Sequence, residues 1–327
     1  MSAAYNTPTS SRQEAALGVD VGGTKIAAGL VPFQSGQVVG KRIVPTRPER
    51  GGEAVLADVA ELIRSYLQEA EARNLKIVGA GVAVAELVDP QGNVTSAQTI
   101  AWQGLPVRDQ LSNILPTEME SDVRVAAVAE AQWGAGKGFR LVGYVAVGTG
   151  ISYTLVQEGR PYAGARGNAL VLGSGPLTVL CPDCGSQVSQ VLEEFASGPA
   201  LLRRYNARSS GKVATAEEVI SASADADPLA AEIVRSAGEA LGNSVGFLIN
   251  LLDPEILVVG GGLGLAGGLY WSSFVDAARR HIWSETTRRL PIVPAALGED
   301  AGIIGAAQAF WDRWETRPRG TTKAGRA

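Results

Sequence analysis

The chain has 327 residues, 29 Lys plus Arg against 33 Asp plus Glu for a net charge of −4, and 46% hydrophobic residues. That length suits two hydrophobic cores rather than one, and the composition is that of a soluble α/β protein, neither disordered nor fibrous. The mildly acidic balance argues against nucleic acid or an anionic membrane surface as partner. No apolar run reaches membrane-spanning length, and two cysteines with no secretion signal fit a reducing cytoplasm.

In chain order, residues 1–16 read as a disordered lead. Leu17 to Val31, LGVDVGGTKIAAGLV, reads as strand, glycine turn, strand, with Asp20 set in the apolar run. GQVVGKRIVPT supplies a third strand, and residues 52–73 carry Val55, Val59, Leu62, Ile63, Tyr66 and Leu67 at helical spacing. KIVGAGVAVAELVD reads as a buried strand, VRDQLSNIL as a helix, and ESDVRVAAVAEAQWGAG as a helix that starts after an acid and stops at glycine. GYVAVGTGISYTLVQEGRPYAG then repeats the opening plan, with Val147-Gly148-Thr149-Gly150 matching Val21-Gly22-Gly23-Thr24. This is weak evidence of internal duplication, in which Ala146 stands where the first copy has Asp20.

Helices follow over 189–205, 215–224 and 228–251, then a strand in EILVVGGGLG, another helix, a strand in LPIVPAAL, and a last helix from Ala301 to about Glu315. Residues 316–327 read as a disordered tail. The pattern predicts two α/β lobes: residues 17–122 joined by the helix at 301–315, and residues 123–300.

Two hairpin turns rich in glycine and hydroxyls, one in each half, suggest a nucleotide site in a cleft between the lobes. Gly22, Gly23, Gly148 and Gly150 let backbone amides approach phosphate closely, and Thr24 and Thr149 add hydroxyl donors. A carboxylate beside phosphates is repulsive unless a cation intervenes, so Asp20 suits a Mg²⁺ partner, direct or through water, and Lys25 suits phosphate neutralisation. Gly260-Gly261-Gly262, ending a strand, suit a flat ligand such as adenine lying on backbone. Ordinary turn glycines are the bland alternative, a weaker one for three clusters than for one. The chain has no P-loop, and no acid follows GGGLGLAGG at the spacing a dinucleotide fold requires.

DVGGTK, ESDVRVAAVAEAQWGAG, VAVGTGI, LDPEILVVGGG and GEDAGIIGAAQAF together resemble the ROK family of bacterial sugar kinases and repressors, over about residues 17–312. The resemblance implies the two-lobed actin-like ATPase, or ribonuclease H-like, α/β fold: mixed sheets flanked by helices, with a cleft between lobes. It implies ATP and Mg²⁺ as cofactors and phosphoryl transfer to a sugar hydroxyl. It makes Asp122 the base that takes the hydroxyl proton, against the alternative that Asp122 caps the following helix. Only about sixteen residues precede the first strand, too few for a helix-turn-helix.

The acceptor segments depart from the family. Where its members carry GAAGEIGH, this chain reads GNALVLGS: the sugar-holding glutamate falls on Val171 and the zinc-binding histidine on Ser174. Ser121 and Thr99 stand for two asparagines, with Trp102 kept. Asn168 and Glu193, together with Thr99, Ser121 and Asp122, are the acceptor-site candidates. Cys181 and Cys184 alone do not make a structural zinc site, so none is expected; they read as free thiols or, less readily, a redox pair. The implied acceptor is a sugar or cyclitol, with glucose a poor acceptor or none, and a homodimer is an open assembly. The alternative is an inactive nucleotide-binding pseudokinase that acts as a sensor or interaction protein.

Overall fold

A computed structural model describes residues 12–70, 72–180 and 184–316. The chain divides into two compact units. The first runs to Val125 and takes in the chain again from Gly302; the second is Ala126–Ala301.

The first unit is built on a five-stranded sheet in the order β3-β2-β1-β4-β5. β1 (Gln13–Val21), β2 (Lys25–Pro32) and β3 (Val39–Pro45) form an antiparallel meander, whereas β4 (Leu75–Val84) and β5 (Thr117–Ser121) run parallel to β1. β1 starts inside the expected lead: Gln13 already pairs with Leu75, and Ala15 and Ala16 are fully buried. Residues 1–11 of that lead, and the tail from residue 317, lie outside the described residues.

Alternation along the strands gives both faces of the sheet a core. Leu17, Val19, Val21 and Ile26 pack with Val55, Val59, Ile63 and Tyr66 of helix α1 (Gly52–Ala70), which places its apolar positions at helical spacing. Helix α2 (Val107–Ser112), shorter than the expected 107–115, adds Val107 and Leu111 to that cluster. Ala16, Ala27, Val31 and Val78 on the other face meet Ile303, Ala307, Phe310 and Trp311. These last four belong to the chain's final helix, Ala301–Thr316. Helix α3 (Asp122–Trp133) follows β5 directly.

The second unit repeats the sheet. β6 (Leu141–Val147), β7 (Ile151–Gln157) and β8 (Arg160–Pro161) are antiparallel, and β11 (Ile256–Gly260) and β12 (Ile292–Pro294) run parallel to β6, in the order β12-β11-β6-β7-β8. A separate hairpin, β9 (Pro176–Leu180) with β10 (Gln187–Val191), precedes α4 (Leu192–Ala196), α5 (Gly198–Arg208), α6 (Ala216–Ala224) and α7 (Pro228–Leu252); α8 (Gly268–His281) follows β11.

The single helix expected over 189–205 is thus a strand end and two helices. Pro199 sits in the first turn of α5, where it lacks no needed amide, and the Ser197 side chain caps that turn by accepting from Ala200 N. α7 and α8 pack at backbone distance: a Cβ on Gly238, Gly242 or Gly246, one per turn of α7, would lie within 3 Å of the carbonyl oxygens of Tyr270, Phe274 and Ala278. The final helix, Ala301–Thr316, is α9. No helix among the described residues is long and apolar enough to cross a membrane.

Candidate active site

In the first unit the β1–β2 hairpin turns on Gly22, Gly23 and Thr24. The turn is closed by Gly22 N donating to Lys25 O at 3.0 Å, and held from outside by Thr46, whose Oγ1 donates to Gly22 O at 2.6 Å and whose N donates to Thr24 O. The amides of Gly23 and Thr24 donate to no group among the described residues. Two successive amides left open at a strand end are the chemistry of an anion cradle.

Asp20 stands one residue before the end of β1, paired with Ala27 on β2 and Ala83 on β4. Burial pushes its carboxyl up to about 6, with the Lys25 charge opposing. No hydrogen-bond donor reaches that carboxylate among the described residues. On its far side stands Gly302, the second residue of α9, where a Cβ would lie 2.2 Å from Asp20 Oδ2. A desolvated carboxylate without donors fits a divalent cation that keeps its waters and takes its remaining ligands from phosphate. Among the described residues, no group of three or more His, Cys, Asp or Glu side chains is placed to hold a metal, so Asp20 would hold Mg²⁺ with water and nucleotide oxygens rather than a protein cage.

Asp122 opens α3 at the end of β5, the parallel strand beyond β4. Its Oδ1 accepts from Val123 N at 2.7 Å. A helix-capping carboxylate accepts from the amide two or three residues on, so this bond to the next amide does not match the capping alternative. Burial, and then the charge of Asp20, push the Asp122 carboxyl up to about 7, against the Val123 amide and the Arg124 guanidinium. Arg124 is itself buried, its Nε donating to Glu120 Oε1 and an Nη to Val88 O. Ser121 is buried beside Asp122, its amide donating to Glu120 Oε1.

Glu86, which the motif reading passes over, is also buried here and adds to the charge felt by Asp122. It accepts from Ser96 Oγ and from the amides of Gln98, Thr99 and Ile100. The sequence signal was available: like Asp20, Glu86 is a lone acid in an apolar run, AVAELV. Thr99 is brought to the first glycine turn, its Cγ2 2.7 Å from where a Cβ on Gly23 would stand. Trp102 is fully buried and donates Nε1 to Gly52 O at 2.9 Å.

In the second unit the β6–β7 turn is closed by Gly148 N donating to Gly150 O at 2.9 Å, and the amides of Thr149 and Gly150 donate to no group among the described residues. This turn is knitted to the third glycine cluster, since Val147 O accepts from both Leu263 N and Gly264 N at 3.0 Å. Gly261 is required there: its φ is +81°, and a Cβ would lie 2.3 Å from Val147 O. Gly262 faces open space.

Glu193 Oε2 accepts from Ile151 N at 2.8 Å, and a Cβ on either Gly150 or Gly173 would crowd that oxygen. One carboxylate oxygen therefore fixes the second glycine turn, and the other carries no such bond. Asn168 is exposed in the loop after β8, apart from these contacts. Val171 is 48% exposed, and Ser174 Oγ donates to its carbonyl. Of the expected thiols, Cys181 lies outside the described residues, and Cys184 is exposed with its Sγ in contact with Ser186 Oγ.

The ROK family model matches residues 16–313. A glucokinase of Streptomyces coelicolor is 30% identical over 316 residues, covering 89% of this chain and 96% of the relative. An N-acetylmannosamine kinase of Yersinia pseudotuberculosis is 29% identical over 308 residues, covering 91% and 98%. The crystal structure of a ROK family glucokinase from Streptomyces griseus in complex with glucose and AMPPNP matches with a TM-score of 0.73 and 29% identity, over 90% of this chain and 98% of that one.

Proposed function

Because the chain belongs to the ROK family, we propose that it transfers the terminal phosphoryl group of ATP to a hydroxyl of a sugar or sugar-like acceptor, with glucose a poor acceptor. The observation that carries this reading is the pair Asp20 and Asp122: two desolvated carboxylates, one near the end of β1 and one just beyond β5 of the same sheet, with the charge of Asp20 raising the demand of Asp122 for a proton or a nearby cation. Asp122 takes the acceptor hydroxyl's proton as the new bond to phosphorus forms. Asp20 holds the metal, and bound Mg²⁺ supplies charge neutralisation on the phosphates. The open amides of Gly23 and Thr24, and in the second unit those of Thr149 and Gly150, donate to phosphate oxygens. Gly260, Gly261 and Gly262 give the adenine a flat backbone.

The acceptor follows from Val171 and Ser174. A sugar hydroxyl desolvated against an isopropyl group instead of a carboxylate loses a partner, at about 1–3 kcal/mol. That is about a ten- to hundredfold loss of affinity for glucose. Relatives named for glucose and for N-acetylmannosamine match this chain at similar identity, so overall likeness does not select the acceptor.

The test is turnover of ATP with Mg²⁺ across glucose, mannose, N-acetylated sugars, deoxysugars and cyclitols at equal concentration. Transfer to a non-glucose acceptor is expected, with Asp122→Asn slower by roughly a hundredfold or more while ATP still binds. Efficient glucose phosphorylation at submillimolar KM overturns the acceptor assignment. Nucleotide binding with no transfer to any acceptor selects the second reading, a pseudokinase, which the departures at Val171 and Ser174 favour.

A further inference from the structure

Glu86 has no place in the transfer step, yet its carboxylate accepts four hydrogen bonds. It lies two residues beyond the end of β4, and the chain there is tied back to β1 by Ala85 N donating to Val21 O at 3.2 Å. Its two oxygens divide four donors. Oε2 takes Ser96 Oγ and Gln98 N at 3.0 Å; Oε1 takes Thr99 N at 2.5 Å and Ile100 N at 2.7 Å. Ser96 Oγ in turn accepts from Leu87 N at 2.8 Å, which closes the ring of bonds on the same turn of chain.

The segment so gathered is anchored at its two ends, by Thr95 N donating to Leu87 O at 2.8 Å and by the fully buried Ile100, whereas Gln98 and Thr99 between them are exposed. Three consecutive amides, 98 to 100, converge on one carboxylate, so the backbone there is wrapped around the side chain rather than paired in a strand or helix. The wrapped segment carries Thr99, whose methyl presses on Gly23 of the first glycine turn.

We infer that Glu86 is a positioning residue for the acceptor: it fixes the backbone of residues 96–100 and thereby sets Thr99 against the first glycine turn. This rests on the proposed kinase reading for its kinetic consequence, and on geometry alone for its structural one. The side chain must be a carboxylate. A glutamine offers one acceptor oxygen and turns an NH₂ toward two of the four donors, so at least one backbone amide loses its partner although the shape is kept.

The experiment compares wild type with Glu86→Gln in two readouts on the full chain. In hydrogen exchange, the amides of residues 98–100 are expected to exchange at least tenfold faster in the variant, with the β1–β2 hairpin unchanged. In kinetics, KM for the acceptor is expected to rise tenfold or more while KM for ATP stays within twofold. Exchange at 98–100 within twofold of wild type overturns the inference, as does an equal rise in both KM values, which marks a general loss of structure. If wild type transfers phosphate to no acceptor, the kinase reading fails, and the exchange readout still decides the role of Glu86. Should Glu86→Gln not fold, Ser96→Ala removes one donor and leaves the carboxylate; it is expected to speed exchange at 98–100 severalfold, and no change there overturns the inference.

Discussion

Asp122 can accept a proton only when it carries none. Its carboxyl is pushed up to about 7 by burial and by the charge of Asp20, so in the ligand-free protein a sizeable share is protonated near neutrality. Acidification therefore removes the base, and turnover is expected to fall as pH drops through the folded value. A cation on Asp20 cancels the neighbouring negative charge and stabilises the ionised form of Asp122, which moves the acid limb to lower pH. Rate measured against pH at limiting and at saturating Mg²⁺ checks this; a limb that does not move with Mg²⁺ separates the two carboxylates electrostatically and removes Asp20 from the metal site. Two such residues differ in how legible they are. Asp20 stands out in the sequence because an acid in an apolar strand demands a reason. Asp122 sits at a helix start, where acids are common, and only its bond to the adjacent amide sets it apart from a cap. Glu86 carries the same mark as Asp20 but adjoins no glycine turn, so nothing local shows that it gathers one hydroxyl and three amides ten to fourteen residues ahead.

At the scale of elements, the docking of α9 was legible as a helix and illegible as a fit. A Cβ on Gly18 or Gly81 would lie 2.0 and 1.7 Å from the carbonyl oxygens of Ile303 and Ala306, and one on Gly305 would lie 1.9 Å from Val125 O. Helix and sheet thus touch backbone to backbone, and the spacing of GIIG in the sequence does not reveal which strand glycines answer it. The split of 189–205 has a different cause: Val188, Leu192 and Phe195 suit helix or strand, and only the cap at Ser197 marks the restart. The third glycine cluster gives a paired test. Gly261→Ala puts a Cβ on Val147 O at a φ of +81° and is expected to cost about 1–3 kcal/mol or more in stability. Gly262→Ala meets nothing within 4 Å and is expected to leave the melting temperature unchanged while weakening nucleotide binding. Thermal melts with and without ATP measure both; equal destabilisation by the two variants contradicts the geometry.

Across the whole molecule the same sheet occurs twice, three antiparallel strands continued by two parallel ones, and each first hairpin turns on glycine. The weak repeat visible in the sequence is therefore a repeat of topology, in the actin-like fold of the matched family. The copies are unequal where it matters: Asp20 on β1 corresponds to Ala146 on β6, and Asp122 follows the last strand of the first sheet alone. Concentrating two desolvated carboxylates in one unit has a cost that the global stability must carry. An aspartate held at about 7 in the folded chain and at 3.8 when unfolded binds more protons folded than unfolded between those values. Stability then falls as pH rises through that window and levels off above it, the reverse of the usual case of a salt-bridged aspartate. Asp122→Asn removes the titration, so the variant is expected to match wild type near pH 4 and to exceed it by an amount on the order of a few kcal/mol by pH 8. Mg²⁺ with ATP, binding only the folded chain, should close part of that gap in wild type. Melting temperatures of the two proteins, chelated and then with Mg²⁺ and ATP, from pH 4 to 8 measure it. A gap that stays constant across the range shows that Asp122 is ionised throughout, as a solvent-relaxed cap would be and a buried base would not.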